Sequence, residues 1–357
     1  MDLMKLNFYF INENYEKSKI LFINNKFSTI FKEGVLNMKN IFINKNSEVR
    51  SGFKIASTFG SFFIATNIIS IVAMILLTII MISTKQISNH DSIRYLTGLT
   101  NINTGFGIFL NLSQCICMIL SVWLFWKLFD KKPIRELGLI NIKKGYKDLF
   151  KGLAFGAVSM IIVFILLLFS GNISLQSPLN SPNFNMSLLT GLILFIFVGI
   201  NEEMFARGYC MNVLKQTGNK WVMIIVSSII FSLMHSLNPS MSVISYINLF
   251  LFALLAAYMF IKSNNLWLPI GYHIMWNYFE GNIFGFQVSG LSTESLYKLN
   301  TPINNIITGG NFGPEGGLIV TFITIIGFIY IWQLYTPQLH HNNKIKIINN
   351  YLESYKE

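Results

Sequence analysis

The stretch LLTGLILFIFVGINEEMFARGYCMN, residues 188–212, decides the fold class. Its first half holds no charged residue, yet Glu202, Glu203 and Arg207 follow within the same apolar run. The hydrocarbon core of a bilayer is about 30 Å thick, and a helix needs about 20 apolar residues to cross it. The stretch therefore predicts a membrane-spanning helix that carries three ionisable side chains at membrane depth.

The composition of the whole chain agrees with a membrane protein. Of its 357 residues, 52% are apolar and only 12% are charged, whereas about 25% is typical of soluble domains. Disorder requires low hydrophobicity and high charge, so this composition excludes a largely disordered chain. The cysteines Cys115, Cys117 and Cys210 are odd in number and lie in apolar stretches, which excludes a disulfide scaffold. The predicted fold class is an all-α polytopic membrane protein.

Apolar runs long enough for a transmembrane helix occur eight times along the chain. Two glycine pairs, Gly152-x3-Gly156 and Gly281-x3-Gly285, have the spacing of closely packed membrane helices, and we expect them to lie at helix contacts. The predicted spans are residues 62–83, 106–129, 153–170, 188–212, 221–235, 243–261, 266–284 and 318–335.

Basic residues concentrate in alternate loops. The loop between the second and third spans is rich in lysine, whereas residues 171–187 carry no charge and residues 285–317 carry one lysine against two glutamates. By the positive-inside rule, this alternation predicts cytoplasmic termini in a cell membrane. Anionic lipid on that side accounts for the net charge of +11, so no nucleic-acid partner is expected.

The predicted regions are a basic extension (1–60), a transmembrane domain (61–336) and a cytoplasmic tail (337–357).

Charged residues within the fourth span need a structural or functional reason. A charge near the bilayer centre costs at least about 2.5–3.5 kcal/mol on insertion scales. Glu203 and Arg207 are four residues apart on one helix face and can form an ion pair. Glu202 points about 100° away from Glu203 and has no cation nearby in sequence. A structural ion-pair cluster and a general acid or base are both compatible with this pattern.

Histidine and asparagine add to these polar groups. His235 ends the fifth span, and His273 and Asn277 share one face of the seventh. A neutral histidine can hold a water or a metal, and an asparagine can donate a hydrogen bond to an oxyanion. The structural alternatives are an interfacial histidine and an asparagine that bonds neighbouring helices. Together, the ionisable residues at membrane depth favour a functional site.

Three motifs in order resemble those of the CPBP family, the CAAX prenyl protease and bacteriocin-processing (Abi) family of intramembrane endopeptidases. The resemblance covers about residues 131–290 and includes LWLPIGY, which precedes the third motif. Each motif alone is weak, but the ordered set at membrane depth is specific. The motifs are Glu202-Glu203-x3-Arg207, Phe231-x3-His235 and His273-x3-Asn277.

The resemblance implies eight transmembrane helices around a polar cavity, embedded in the membrane and open to the cytoplasmic side. It also implies proteolysis that depends on a glutamate. Carried over by position, Glu202 activates a water and His235 helps to hold that water. His273 and Asn277 stabilise the oxyanion of the tetrahedral intermediate.

The remaining motif residues receive supporting roles by the same carry-over. Glu203 and Arg207 support the site or hold substrate. The apolar residues Phe231 and Trp276, which adjoin the polar motif positions, are expected to contact the substrate.

Metal dependence is open at the level of sequence. Glu202, His235 and His273 form a plausible zinc set with a free position for water. The H-E-x-x-H helix of zinc proteases does not occur in the chain. The family has been described both as metalloproteases and as glutamic proteases. We expect metal-independent chemistry without a cofactor, with zinc as the alternative.

The expected partners are the lipid bilayer and a membrane-associated peptide or protein, as in bacteriocin leader processing, self-immunity or CaaX-like cleavage. The abundance of Ile, Asn, Lys and Phe favours a bacterial source.

Two other classes of function stay open: a non-catalytic immunity or scaffold protein with the same fold, and a proton-coupled transporter.

Overall fold

The computed structural model describes residues 41–84, 98–300 and 303–353, with side chains as far as Tyr335. Within these ranges the architecture is helical, and β-pairing is limited to isolated bridges. The main helices are α1 (Ser51–Ser83), α2 (Gly105–Phe125), α3 (Ile142–Phe169), α4 (Ser187–Glu203), α5 (Lys220–Met234), α6 (Val243–Ser263), α7 (Trp267–Tyr278) and α8 (Leu318–Glu353).

The prediction of an all-α polytopic membrane protein is confirmed. Each predicted span overlaps one of the eight main helices, and the second, fourth and seventh spans extend beyond their helices into the turns that follow. Among the described residues, six helical segments are long and apolar enough to cross a membrane, and α5 is a shorter apolar helix of 15 residues. α7 is shorter still, with 12 residues. Eight membrane crossings therefore remain a prediction.

Three of the main helices continue directly into π-helical turns. These turns are Trp126–Asp130 after α2, Met204–Cys210 after α4 and Phe279–Ile283 after α7. π-helical turns are rare and frequently occur at functional sites. The turn after α4 begins next to Glu203 and contains Arg207, so the charged part of the fourth span lies where the helix changes its winding.

The chain divides into two compact units, Met1–Lys54 and Ile55–Glu357. Most of the predicted N-terminal extension, residues 1–40, lies outside the described residues. At the other end, α8 runs through residue 336, so the predicted tail begins inside a continuous helix.

Helix α7 lies at the centre of the second unit, packed against α3, α4 and α6. Its contact with α3 is made backbone to backbone. A Cβ atom on Gly152 would lie 2.2 Å from the carbonyl oxygen of Leu268, and one on Gly156 would lie 2.2 Å from that of Tyr272. A Cβ atom on Gly271 of α7 would in turn meet the backbone of α3. The predicted role of Gly152-x3-Gly156 in helix packing is confirmed.

The second glycine pair has a different role. Gly285 adopts a φ of +72° in the turn after α7, a conformation that favours glycine. A Cβ atom on Gly281 would meet side chains of Thr293 and Val288, which lie in the following loop. The prediction that Gly281-x3-Gly285 packs two helices is wrong, because the helical segment ends at Ile283 and the chain folds back on itself.

The glycine contact between α3 and α7 leads to a stability prediction. A Gly156→Leu substitution places atoms where the backbone of α7 lies, and overpacking of this kind costs at least about 1–3 kcal/mol. We expect a lower midpoint of thermal unfolding in detergent. The control is Gly60→Leu in α1, where the space around an added Cβ is open. Equal stability of the two variants would contradict a tight α3–α7 contact.

Candidate active site

Glu203, the last residue of α4, accepts hydrogen bonds from two side chains. Its Oε1 accepts hydrogen bonds of 2.9 Å from Arg207 Nη1 and 2.9 Å from His273 Nδ1. The side chains of all three residues are buried. The predicted i,i+4 ion pair is confirmed, and the bond to His273 links α4 to α7.

The bond to Glu203 orients the ring of His273. A carboxylate oxygen only accepts hydrogen bonds, so Nδ1 of His273 is the donor. In the neutral ring, Nε2 is then the acceptor. That Nε2 atom lies 3.8 Å from Oε2 of Glu202. The second nitrogen of His273 therefore faces the other glutamate of the motif.

The ring of His235 is oriented in an equivalent way. Its Nδ1 lies 2.9 Å from the backbone carbonyl oxygen of Phe231, one turn earlier in α5. A carbonyl oxygen also only accepts, so Nδ1 donates and Nε2 is left as the acceptor of the neutral ring. Nε2 lies 3.9 Å from Oε2 of Glu202. Two imidazole nitrogens thus converge on one carboxylate oxygen.

The separations around Glu202 match a bridging water. Distances of 3.8 and 3.9 Å are too long for direct hydrogen bonds. One water about 2.8 Å from each atom spans them. Oε2 of Glu202 is buried and has no hydrogen-bond partner among the described residues, which is the condition that an ordered water satisfies.

A cavity of about 600 Å³ opens beside this cluster. Glu202, His235, His273 and Asn277 all line it, whereas Glu203 does not. The side chain of Glu202 is 21% exposed and that of Glu203 is 0% exposed. The two adjacent glutamates therefore occupy different environments, one at the cavity wall and one behind it.

The two apolar motif residues differ in their position relative to the cavity. Phe231 lines it, and the guanidinium carbon of Arg207 lies 4.4 Å from the centroid of the Phe231 ring. This cation–π contact covers Arg207 on the cavity side. Trp276 is buried outside the cavity lining, where its Nε1 donates a 3.1 Å hydrogen bond to Glu315. The predicted substrate contact of Trp276 thus lies behind the cavity wall.

A zinc ion held by Glu202, His235 and His273 would require a particular spacing of their ligand atoms. These side chains have suitable chemistry, and Glu203 behind His273 provides the kind of outer hydrogen bond that metal-bound histidines make. A tetrahedral zinc with bonds of about 2.1 Å brings its ligand atoms to within roughly 3.4 Å of one another. The observed separations of 3.8 and 3.9 Å are wider. No group of metal-binding residues among those described has the spacing to hold an ion.

Sequence reasoning missed Glu315 and Ser289 as cavity residues. Both are buried, and Ser289 Oγ donates a 2.5 Å hydrogen bond to Oε2 of Glu315. The segment 285–317 carries glycine and proline typical of an exposed loop. The available signal was the run GPEGG at residues 313–317, where glycines permit close backbone packing around a lone glutamate.

Residues 184–279 match the family described as Rce1-like, "Type II CAAX prenyl endopeptidase Rce1-like". This segment contains the six polar residues of the three motifs, from Glu202 to Asn277. No curated protein matches the chain. The family resemblance predicted from the motifs is confirmed by the matched segment. The chain is a multi-pass membrane protein in which residues 184–279 are similar to the Rce1-like type II CAAX prenyl endopeptidases.

Proposed function

We propose that this protein hydrolyses a peptide bond of a membrane-associated peptide or protein with a water activated by Glu202. The convergence of Glu202 Oε2 with the Nε2 atoms of His235 and His273 carries the proposal. These atoms are hydrogen-bonding groups around one point at the wall of a cavity. A general base must lie within reach of the proton that it removes, directly or through one water.

Proton counting assigns different roles to the two histidines. A water has two hydrogens, and neutral rings together with a carboxylate present three acceptors. One of these groups must therefore carry a proton for the water to satisfy them all. His273 has its Nδ1 on the carboxylate of Glu203, which stabilises an imidazolium. His273 is thus the donor at Nε2, while His235 and Glu202 accept from the water.

Hydrolysis then follows without a change in the position of the side chains. The water oxygen bonds to the substrate carbonyl carbon as its proton passes to Glu202. His273 Nε2–H and the amide of Asn277 donate hydrogen bonds to the oxyanion, the arrangement of an oxyanion hole. Glu202 returns the proton to the amide nitrogen, the C–N bond breaks, and an amine and a carboxylic acid leave.

Glu203 and Arg207 act on the reaction through His273. Glu203 orients the imidazole and compensates its positive charge, as the carboxylate does in the Ser-His-Asp arrangement. Arg207 in turn compensates Glu203, because its guanidinium lies 2.9 Å from the same oxygen. Glu203 and Arg207 are buried and do not line the cavity. This supports a role in positioning His273 over the alternative, in which they hold substrate.

The chemistry in this proposal is of the glutamic type and uses no metal. The separations around Glu202 favour water over zinc. The substrate enters from the bilayer, which surrounds the helices that form the cavity. Processing of a secreted peptide leader or a self-immunity function in a bacterial cell membrane agrees with the composition of the chain.

Replacement of Glu202 by glutamine tests the role of the base. Glu202→Gln retains the shape and removes the proton acceptor, and loss of a general base typically costs 10²- to 10⁴-fold in rate. We expect cleavage fragments that depend on the protein to fall about 100-fold or more. The measurement is mass spectrometry of new peptide termini in membranes from cells that produce either form.

The matched control for this experiment is Glu294→Gln. Glu294 forms a half-exposed ion pair with Lys298, at 3.6 Å, and does not line the cavity. Its replacement is expected to leave the fragments unchanged. Wild-type fragments in the Glu202→Gln sample, at equal protein abundance, would contradict the proposal and support the scaffold alternative.

Chelation tests the metal-free chemistry. Purified protein in detergent is treated with 1,10-phenanthroline and assayed on a fragment-yielding peptide identified in the membranes. Because no ion takes part in the proposed steps, we expect the rate to stay within about twofold of the untreated rate. Loss of activity that zinc alone restores would establish the metalloprotease alternative.

The Arg207–Glu203 ion pair leads to a prediction about stability. Removal of one partner of a buried ion pair costs about 3–5 kcal/mol, because the other charge is left uncompensated. Arg207→Met is expected to lower the unfolding temperature strongly, and Glu203→Gln/Arg207→Met to recover part of the loss. The control is Lys132→Met, which breaks an exposed pair with Glu136 and is expected to have little effect. Equal loss in the single and double variants would argue against the compensation.

A further inference from the structure

A second carboxylate lies in the cavity wall. Glu315 belongs to the short 3-10 helix Pro314–Gly316 and is buried, yet it lines the cavity. Its two oxygens accept hydrogen bonds from Trp276 Nε1 and Ser289 Oγ, at 3.1 and 2.5 Å. Both donors are neutral, so they fix the orientation of the carboxylate without compensating its charge.

Another buried carboxylate, Glu280, adjoins Glu315. Glu280 is 0% exposed, and the backbone of Glu315 lies next to its carboxyl group. Glu280 and Glu315 are close enough to interact electrostatically. In the part of the chain that the structure describes, no ion pair involves either residue. Complete burial without a cation favours the neutral form of a carboxyl group, so Glu280 adds no charge to this end of the cavity and Glu315 is the carboxylate that faces it.

One carboxylate in the cavity lining has no counter-charge. Glu202 faces the His273 imidazolium of the proposed mechanism, whereas Glu315 faces only neutral donors. No lysine or arginine lines the cavity among the described residues. Arg207 is excluded by Phe231 and is paired with Glu203. Low-dielectric walls strengthen the field of an uncompensated charge. A positive group that enters the cavity is therefore favoured over a neutral one, and a negative group is disfavoured.

The position of the bound positive group depends on how far Glu315 lies from the water site between Glu202, His235 and His273. Glu315 is bonded to Trp276, which lies three residues after His273 on α7, or about 4.5 Å along the helix axis. The ring of Phe252 contacts both His273 and Trp276 and lies between these two parts of the wall. An extended peptide advances about 3.3–3.6 Å per residue. The axial step alone corresponds to one or two residues of an extended peptide, and the Trp276 side chain adds to the separation, so a group on Glu315 lies a few residues from the scissile bond.

We infer that Glu315 determines specificity by binding a lysine or arginine side chain of the substrate within a few residues of the scissile bond. The inference deepens the proposed function and rests on it for the position of the scissile bond. A free C-terminal carboxylate close to the cleaved bond, as a CaaX terminus provides, is disfavoured here, and an internal bond beside a basic residue is preferred.

Binding to the inactive protein tests this inference without hydrolysis. Glu202→Gln protein in detergent micelles is titrated with apolar nonapeptides, blocked at both ends and bearing a neutral fluorophore, that differ only in a central Lys, Gln or Glu. We expect the Lys peptide to bind about tenfold more tightly than the Gln peptide, the size of one charge-assisted hydrogen bond. The Glu peptide is expected to bind most weakly.

The matched variants separate Glu315 from other acidic residues. Glu202→Gln/Glu315→Gln is expected to lose the difference between Lys and Gln peptides, whereas Glu202→Gln/Glu294→Gln retains it. Equal binding of the three peptides to the Glu202→Gln protein would overturn the inference, even if the Glu315 variant failed to fold. An unchanged Lys preference in a folded Glu315→Gln variant would overturn it as well.

Hydrolysis by the wild-type protein separates this inference from the proposed function. If the wild type cleaves the Lys peptide and Glu202→Gln does not, the proposed function stands whatever the binding order. If the Lys peptide binds selectively through Glu315 but is never cleaved, the proposed function fails and the binding site remains. Cleavage of the Lys, Gln and Glu peptides at equal rates would overturn the specificity.

Discussion

The organisation of the site depends on one carboxylate oxygen, Oε1 of Glu203. It accepts charge-assisted hydrogen bonds from Arg207 and His273, which lie on two different helical segments. These bonds are the strong kind, and they are directional. The bond from His273 fixes the register of α4 against α7 and the orientation of the His273 ring. The position of Nε2 of His273 relative to Glu202 follows from that orientation.

The cost of charge in a membrane explains why two adjacent glutamates differ so much. Successive residues of a helix point about 100° apart, so only one of them can face the cavity. Glu202 does so and is partly exposed, whereas Glu203 is turned into the protein and needs Arg207 as its counter-charge. The same dipeptide thus supplies an uncompensated carboxylate and a compensated one, a division that a single glutamate could not provide.

The sequence predicted those features that depend on local spacing. The Glu203–Arg207 pair follows from a separation of four residues, and the helices follow from the apolar runs. The bond from His273 to Glu203 joins residues 70 positions apart, so it and the ring orientation that it imposes depended on tertiary packing. Glu315 was missed because its burial results from the folding of a glycine-rich segment against α6 and α7, which hydropathy does not report. Gly285 was misread because spacing alone does not reveal where a helix ends.

The pairing of Glu203 also matters for the proposed chemistry of the oxyanion. A carboxylate directly behind His273 would by itself oppose negative charge on the substrate carbonyl. Arg207 lies 2.9 Å from that carboxylate, so the pair is close to neutral and its field at the cavity is weak. Glu315, by contrast, has only neutral donors and keeps its field. The cavity can therefore attract a positive substrate at the end that holds Glu315. The water site tolerates a developing negative charge, because Arg207 compensates the glutamate behind it.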